Sequence, residues 1–406
     1  MKENIPEGWE RVKLKEVLTE VSERNKGEKV KRVLSVTNSK GFMDQEEYFE
    51  GTVHSSNISN YKIVRKNQFA YNPSRVNVGS IDILKDYEEG ALSPMYVIFK
   101  VDETRLLPEY FKYYFQTHRF YENVKNNTQG SVRNSLSFQA LANFEYLLPL
   151  IEEQKEIINI FQNIDNIINK NEKIINRIND YKKAIVEKIL CKGIKKEELI
   201  ESKLGLIPKS WKIIKLKDCS NNIQYGLNAS SEEYNEKKPK YLRITDIDEY
   251  GNYSKENKVS PKSKEYKKFI AKYGDILFAR TGGTVGKNYL YDKKDGELVY
   301  AGYLICFSLK KDIVNPEFIK ILVNTKRYWN WVKVMSMRSG QPGINSKEYG
   351  EYLLKIPEME EQNKIVNIIG NIEKIENKSR KNLEHYIKLK KGLMQQLLTG
   401  KVRVKI

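Results

Sequence analysis

Apolar residues recur at alternating steps of three and four residues through the stretch 152–190. The series consists of Ile157, Ile160, Ile164, Ile167, Asn171, Ile174, Ile178, Tyr181 and Ile185. Steps of this kind over four heptads are typical of a helix that coils around a partner helix. Neither Gly nor Pro occurs in this stretch, so we predict one uninterrupted helix. A helix of this length needs a second helix to pack against.

A second series of the same kind begins 208 residues later. It consists of Ile365, Ile368, Ile372, Ile375, Ser379, Asn382, Tyr386, Leu389 and Leu393. Residues 149–190 and 357–398 are identical at 16 of 42 positions without a gap, and both begin with Pro-x-x-Glu-Glu-Gln. The polar members of the two series either fix the register of the pair or are merely tolerated.

We therefore predict a coiled-coil interface between the two helices. Its predicted residues are Ile157, Ile160, Ile164, Ile167, Ile174, Ile178, Ile365, Ile368, Ile372, Ile375, Leu389 and Leu393.

The repeat extends beyond the helices, which indicates a tandem duplication. Ile5-Pro-x-x-Trp9 returns as Ile207-Pro-x-x-Trp211, and Arg119-Phe-Tyr121 returns as Arg327-Tyr-Trp329. The predicted order is a globular unit, a long helix with a linker, a second globular unit and a second long helix. Their predicted bounds are 1–150, 151–204, 205–356 and 357–406.

Each globular unit has short β-like segments first and an aromatic-rich helical segment late. The helical segments are predicted over 108–124 and 316–334. This order predicts an α+β fold with a small twisted sheet plus helices in each unit. Because each helix leaves its own unit in the same way, a pseudo-twofold arrangement requires the two helices to be antiparallel.

The charge balance predicts a polyanionic partner. Lys and Arg number 71 against 53 Asp and Glu, a formal net charge of +18. Nucleic acid is the first candidate partner and an anionic membrane the second; a generally lysine-rich proteome is the alternative explanation. The start of the chain has no apolar signal region, and no apolar run approaches the ~20 residues that span a membrane. We expect no membrane partner.

The cysteines and histidines predict no cofactor, metal or disulfide framework. Cys191, Cys219 and Cys306 are far apart and unpaired in pattern, and the three histidines are equally scattered. This usage fits a reducing compartment, so a cytoplasmic location is expected.

Two polar, glycine-containing connections precede the long helices, at 126–135 and 335–346. They carry Gln129, Arg133 and Asn134 in the first unit and Arg338, Gln341 and Asn345 in the second. Arginine pairs with guanine edges, and asparagine or glutamine pairs with adenine. Each of these residues could instead hold a phosphate or cap a turn.

A second group of candidates lies elsewhere in the two units. Arg280, Thr281, Gly283 and Lys287 are candidate phosphate contacts, because glycines and a cation suit an anion. The remaining candidate DNA-binding residues are Asn72, Arg75, Tyr225 and Thr245.

Three partial matches to catalytic motifs fail in detail. Thr281–Asn288 lacks the first Gly and the final Ser or Thr of a phosphate-binding loop. Asn72-Pro73-Ser74 lacks the second proline and the aromatic of amino-methyltransferases, and the acidic cluster near Asp44 has no lysine-bearing strand after it. We find no assembled catalytic constellation. A single-chain nuclease or methyltransferase with an unrecognised active site stays as the alternative, and a scaffold that does not read DNA is a third reading.

The chain resembles the DNA-specificity subunit of type I restriction-modification systems. The resemblance covers essentially the whole chain. Its carriers are the paired Ile-Pro-x-x-Trp openings, Leu242–Asp246, Gly274–Gly282 with Gly286-Lys287, and the two Pro-x-x-Glu-Glu-Gln helix entries. The first unit departs from the pattern, because it has Asn67-Gln68 where the second has Gly274-Asp275.

The resemblance implies a non-catalytic subunit that binds double-stranded DNA at a bipartite target. The two globular units would be target recognition domains, and the two helices would be antiparallel spacers that set the separation of the half-sites. It also implies two methyltransferase subunits and motor-nuclease restriction subunits as partners.

Overall fold

The computed structural model of the chain describes residues 5–49, 57–128, 135–248, 251–254, 256–337 and 342–405. The chain divides into two compact units. The first consists of Met1–Glu172 with Lys381–Ile406, and the second of Lys173–Arg380. Each long helix therefore contributes one part to each unit.

The first unit is built on a four-stranded antiparallel sheet with the order β2-β9-β6-β7. Its described strands are β1 (Glu10–Lys13), β2 (Leu18–Val21), β3 (Leu34–Thr37), β4 (Gly41–Asp44), β5 (Lys62–Arg65), β6 (Phe69–Tyr71), β7 (Ile81–Ile83), β8 (Glu89–Leu92), β9 (Val97–Val101) and β10 (Glu145–Leu148). Its helices, including the first long one, are α1 (Gln45–Phe49), α2 (Pro108–Tyr114), α3 (His118–Thr128), α4 (Phe138–Ala142) and α5 (Ile151–Lys192). Phe69 and Phe99 stack in the core beneath Phe111 of α2.

The second unit repeats this sheet with the order β14-β21-β18-β19. Its described strands are β11 (Leu199–Ile200), β12 (Ile207–Pro208), β13 (Lys212–Lys215), β14 (Ser220–Tyr225), β15 (Ser231–Glu233), β16 (Lys240–Leu242), β17 (Val259–Pro261), β18 (Asp275–Ala279), β19 (Asn288–Leu290), β20 (Leu298–Tyr300), β21 (Leu304–Leu309) and β22 (Leu353–Ile356). The remaining helices are α6 (Pro316–Leu322), α7 (Lys326–Met335), α8 (Ser346–Gly350) and the second long helix, α9 (Met359–Leu397). The small ladders correspond as well. The parallel pair of β16 with β20 has its counterpart in the bridge of Val33 with Ala91, and the antiparallel pair of β5 with β8 has its counterpart in the bridge of Ile270 with Val299.

Each aromatic-rich segment is two helices, so the prediction of a single helix in each unit was wrong. The break falls at Thr117 in one unit and at Thr325 in the other. The Thr117 hydroxyl donates to the Tyr114 carbonyl (2.7 Å) and accepts from the Phe120 N–H (3.3 Å). Thr325 makes the equivalent bonds in its own unit. A threonine that closes one helix and caps the next competes with helix continuation.

The two duplicated sequence motifs contact each other in the folded chain. In the first unit the Trp9 indole Nε1 donates to Glu153 Oε2 (2.8 Å), and Trp211 makes the same bond to Glu361 in the second (3.3 Å). Both carboxylates are fully buried. The Ile-Pro-x-x-Trp opening and the helix entry therefore recur together because they form one buried junction.

The glutamine of each helix entry joins a further segment to that junction. Gln154 Oε1 accepts from the Leu107 N–H (2.8 Å), and its Nε2 donates to the carbonyls of Arg105 and Pro149. Gln362 makes the matching set of three hydrogen bonds in the second unit. The amide thus holds together the start of the long helix and the start of the aromatic-rich helices.

Within each unit the parts of α5 and α9 run antiparallel. In the first unit Asp165 pairs with Lys390 (2.7 Å), and Glu153 pairs with Arg403 (2.7 Å), which follows α9. In the second unit Lys182 pairs with Glu376 (2.8 Å). The main-chain N–H of Ile194, beyond the end of α5, donates to Glu361 (2.9 Å). In both units residue numbers rise along one helix as they fall along the other.

The row of residues that each helix buries differs from the predicted row at alternate positions. At those positions the more buried residue is the next one along the chain. On α5 Phe161 and Ile175 are buried, whereas Ile167 and Ile174 are 37 % and 47 % exposed. On α9 Ile369 is buried and Ile368 is exposed.

Ile167, Ile174, Ile368, Ile375 and Leu389 are therefore wrongly placed in the predicted interface, because each side chain faces solvent. Of the other predicted interface residues, Ile157, Ile164 and Ile365 are buried and Ile160, Ile178, Ile372 and Leu393 are half-buried.

The polar residue Asn171 makes a local contact. Its Nδ2 donates to the Ile167 carbonyl of the same helix (2.8 Å). In the second unit the two helices are joined by ion pairs of Lys182 with Glu376 (2.8 Å) and Glu373 (3.8 Å), and Glu376 also pairs with Arg380. Burial acts to raise the pKa of Glu376, but the hydrogen bonds from Lys182 and Arg380 outweigh it and the pKa is lowered.

The corrected row predicts opposite results for two neighbouring residues. Ile175→Ala should lower the free energy of unfolding by about 2–4 kcal/mol, because it leaves a cavity in the packed row. Ile174→Ala should change it by less than about 0.5 kcal/mol, because the side chain is exposed. Urea unfolding followed by circular dichroism measures both. Equal losses for the two variants would contradict the shifted row.

Candidate nucleic-acid interface

Strand register brings distant residues of the second unit to one end of its sheet. Tyr225 pairs with Ile305, Ala279 with Leu304, and Phe278 with Asn288. Because neighbouring strands are antiparallel, the ends of β14 and β18 lie beside the starts of β21 and β19. Three of the predicted DNA-binding residues, Tyr225, Arg280 and Lys287, meet at this end.

The connection before α8 is hydrogen-bonded to the same end of the sheet. The Gly282 N–H donates to the Pro342 carbonyl (2.9 Å), and the Ile344 N–H donates to the Arg280 carbonyl (2.9 Å). The Tyr225 hydroxyl accepts from the Ser346 N–H (3.1 Å). Part of the predicted recognition loop is therefore joined to the strands.

Five predicted residues of the two recognition loops lie outside the described residues. They are Gln129, Arg133, Asn134, Arg338 and Gln341.

Arg280 is half-buried and directly follows β18. Its guanidinium carbon lies 4.9 Å from the centroid of the Tyr225 ring, a cation–π distance. Among the described residues, its side chain has no hydrogen bond or ion pair. Partial burial acts to raise the pKa of Tyr225, but the bond from Ser346 and the charge of Arg280 lower it below its usual value. A stacked arginine with unoccupied N–H groups suits a guanine edge or a phosphate.

The other predicted residues of the second unit have more modest settings. Thr281 pairs with Gly343, and Thr245 is exposed on a short turn. Lys287 Nζ donates to the Ile247 carbonyl (3.1 Å), so its ammonium is engaged in the fold. Gly283 is exposed, and a side chain there would meet open space.

Asn345 acts as a helix cap. Its Oδ1 accepts from the Glu348 N–H (2.9 Å), and its own N–H donates to Glu348 Oε2 (2.7 Å). This reciprocal pair is a capping box at the start of α8. The amide oxygen of Asn345 therefore caps a helix, which was the stated alternative to a base contact.

The first unit builds the same sheet end with different side chains. The Asn72 N–H donates to the Ser80 carbonyl (3.1 Å). The equivalent bond in the second unit runs from the Ala279 N–H to the Lys287 carbonyl (2.8 Å). The Leu136 N–H donates to the Pro73 carbonyl (3.0 Å) as Ile344 does to Arg280. Pro73 therefore occupies the position of Arg280, and the exposed cation of this loop is Arg75.

Two residues at the sheet ends were missed by sequence reasoning. Met95 and Tyr303 are each 61 % exposed. Met95 Sδ accepts from Asn72 Nδ2 (3.6 Å), and the Tyr303 carbonyl accepts from the Arg280 N–H (3.0 Å). The two residues are 208 positions apart, which is the period of the repeat; that spacing is the signal that could have found them.

A lysine-rich cleft adds positive charge to the second unit. It is lined by Lys237, Lys238, Lys262 and Lys264 with Tyr266, in the segments that follow β15 and β17. Lys238 is paired with Glu232. Exposed lysines beside an aromatic ring suit a phosphate backbone.

The described ranges contain no group of three or more His, Cys, Asp or Glu side chains that could hold a metal ion. In the same residues no helix has the length and apolar character needed to cross a membrane. Cys191, Cys219 and Cys306 are free thiols.

Comparison with known protein families accounts for both copies of the duplicated unit. The model of the type I restriction modification DNA specificity domain matches residues 6–180 and again 208–385. The chain belongs to this family of type I specificity subunits. Both matches extend from the start of a globular unit into its long helix.

Two similar proteins of Methanocaldococcus jannaschii carry the same description. The type I restriction enzyme MjaVIII specificity subunit is 27 % identical over 70 % of this chain and 68 % of its own length. The putative type I restriction enzyme MjaX specificity subunit is 24 % identical over 99 % of this chain and 95 % of its own.

Solved structures share the fold at low sequence identity. A chain from a study of complex assembly and conformational transition of the type I R-M system has a TM-score of 0.60 at 13 % identity, covering 98 % of this chain and 100 % of that chain. The type I S subunit of M. genitalium has a TM-score of 0.53 at 13 % identity, covering 100 % of this chain and 99 % of its own. The α+β fold with two recognition domains and two long antiparallel helices is confirmed.

The specificity subunit is the DNA-recognising, non-catalytic component of a type I restriction-modification system. It works with DNA and with methyltransferase and restriction subunits. The alternative of a single-chain DNA-modifying enzyme is not favoured.

Removing the stacked guanidinium should alter base choice in one half-site. We expect Arg280→Ala to reduce discrimination at one base pair by about 5- to 150-fold, the range for losing one bidentate base contact. Arg280→Lys should also lose this discrimination, because an ammonium cannot form the planar two-point contact. Selection of bound sequences from a randomised duplex library measures the preference. An equal loss of affinity for every sequence would instead make Arg280 a phosphate contact. Arg75→Ala is the matched variant in the first domain.

Proposed function

We propose that the two recognition domains read different halves of one bipartite DNA target. The observation that carries this proposal is the sheet end, where two backbone hydrogen bonds recur in both domains while the side chains differ. Pro73 stands where the second domain has Arg280, and Met95 stands where it has Tyr303. Because base choice depends on side chains at the groove, two such ends would select two different sequences.

Affinity and base choice would come from different groups. The net charge of +18 and the exposed lysines of the cleft favour contact with phosphates of any sequence. The few uncharged or stacked side chains at the sheet ends would supply base choice. This division supports DNA, rather than an anionic membrane, as the polyanionic partner.

The long helices would set the separation of the two half-sites. Each helix contributes residues to both compact units. The division between the units follows Glu172 on α5 and Arg380 on α9. A helix has a fixed rise of about 1.5 Å per residue, so its length is a natural measure of distance.

An insertion of one heptad into both helices tests the spacing role. Seven residues between 172 and 173, matched by seven between 380 and 381, would add about 10 Å to each helix. We expect the preferred number of base pairs between the two half-sites to increase by at most about three, while both half-sites stay the same. Library selection with the assembled complex measures spacer and half-sites together. An unchanged spacer preference would contradict the spacing role, and loss of any sequence preference in the parent chain would contradict DNA recognition itself.

We also propose that two methyltransferase subunits bind, one on each long helix. The wrongly predicted interface residues, together with Tyr181, form an exposed apolar row on each helix, spaced at multiples of seven. The rows consist of Ile167, Ile174 and Tyr181 on α5, and Ile368, Ile375 and Leu389 on α9. An apolar row with heptad spacing is suited to an apposed helix. Since duplication gives two rows, it favours two copies of one partner, with restriction subunits joining the larger complex.

A charge placed in one row should remove one partner subunit. We expect Ile174→Glu to reduce the number of bound methyltransferase subunits from two to one, because a carboxylate would be buried without a partner. Asn176→Glu, on the same helix at an exposed polar position, is the matched control and should leave two. Mass measurement of the purified complex reads the number directly. Two bound subunits with Ile174→Glu would rule out this row as the binding surface.

The cytoplasmic location of the protein stays a prediction.

A further inference from the structure

The same β-turn occurs at the sheet end of both recognition domains. In the first domain the Tyr96 N–H donates to the Ser93 carbonyl (3.1 Å), and in the second the Leu304 N–H donates to the Ala301 carbonyl (2.8 Å). The two turns lead into the equivalent strands β9 and β21 and are 208 residues apart. Their third residues are Met95 and Tyr303.

Both turns hold a large apolar side chain out in solvent. Met95 and Tyr303 are 61 % exposed, whereas Tyr96 and Leu304, the next residue of each turn, are buried. A single exposed apolar residue needs no explanation. Two such residues at equivalent positions of a duplicated fold are a different matter, because the two side chains differ in kind and yet share exposure and lack of charge.

Met95 and Tyr303 each contact one of the candidate DNA-binding residues, Asn72 and Arg280. Asn72 Nδ2 contacts Met95 Sδ at 3.6 Å, and the Arg280 N–H is bonded to the Tyr303 carbonyl at 3.0 Å. Asparagine and arginine suit the acceptors on purine edges in the major groove. The apolar feature found on the same groove edge is the C5-methyl group of thymine.

We propose that Met95 and Tyr303 are specificity-determining residues, each contacting a thymine methyl group in its own half-site. This inference rests on the proposed function, because it requires each domain to read one half-site. The turn hydrogen bonds keep the backbone in place, so the side chain reaches the groove from a fixed position. A wedge inserted between base pairs is the competing role for an exposed apolar side chain, and it acts from the minor groove.

The test uses the specificity subunit assembled with its methyltransferase partner and a randomised duplex library. We expect Tyr303→Ala to lose preference at one T·A pair of one half-site, and Met95→Ala to do the same in the other half-site. Tyr303→Phe and Met95→Leu should keep the preference, because the contact needs apolar volume rather than a hydroxyl or a sulfur. Tyr273→Ala removes an exposed tyrosine before β18, at the opposite end of that strand, and should change nothing.

A second measurement removes the methyl group from the DNA instead of the side chain from the protein. Replacing the identified thymine by deoxyuridine should weaken binding of the parent complex about fourfold, the value of one buried methyl-sized group. The same replacement should have no effect on Tyr303→Ala or Met95→Ala at its own position. Equal losses in parent and variant would overturn the methyl contact.

The remaining outcomes also decide the question. A preference lost at a pair that contains no thymine would overturn the proposal, as would an unchanged library profile. Weaker binding to all sequences with an unchanged profile would indicate a wedge or a backbone contact. If the parent complex selects no motif, the failure belongs to the proposed function and not to these two residues.

Discussion

The structure depends on one buried carboxylate in each unit. Glu153 accepts from the indole of Trp9 and from the guanidinium of Arg403, so it joins the start of a domain, the start of one long helix and the segment after the other. Glu361 does the same with Trp211 and Ile194. A buried charge requires several donors, and each of these carboxylates receives them from segments far apart in sequence. The junction thereby fixes where each helix leaves its domain.

The junction also explains which parts of the duplicated sequence were retained. The tryptophan, the glutamate and the glutamine each have buried partners, and each recurs in the same role. The sheet ends are exposed, and there the side chains differ between the domains. Retention of buried contacts beside change in exposed ones is the pattern of one scaffold adapted to two sequences.

The sequence was sufficient for the duplication, the two long helices and the α+β class, because these depend on periodicity and repetition. It was not sufficient for the phase of the helix row. Ile167 is followed by Ile168 and Ile174 by Ile175, so two rows one residue apart are almost equally apolar. Tyr181 looks more suited to a buried row than Lys182, yet Lys182 is the half-buried member because Glu376 pairs with it.

The sheet end was predicted only in part for a different reason. Tyr225, Arg280 and Thr281 were chosen by residue type, but their meeting with the 342–346 segment depends on strand register across more than 50 residues. Asn345 and Lys287 have suitable chemistry for DNA, and their hydrogen bonds to Glu348 and Ile247 become visible only in the fold. Sequence identifies candidate chemistry, whereas the fold determines which groups are still available for it.

The ion pair of Lys182 with Glu376 has a consequence for how spacing could evolve. The residues seven positions to either side of Glu376 on α9 are Ile369 and Leu383, so sliding one helix by a heptad would place the Lys182 ammonium against an aliphatic side chain. The pair thus penalises slippage. Under the proposed spacing role, helix length would then change by whole repeats made together in both helices, and the half-site separations available to such a subunit would differ by fixed steps.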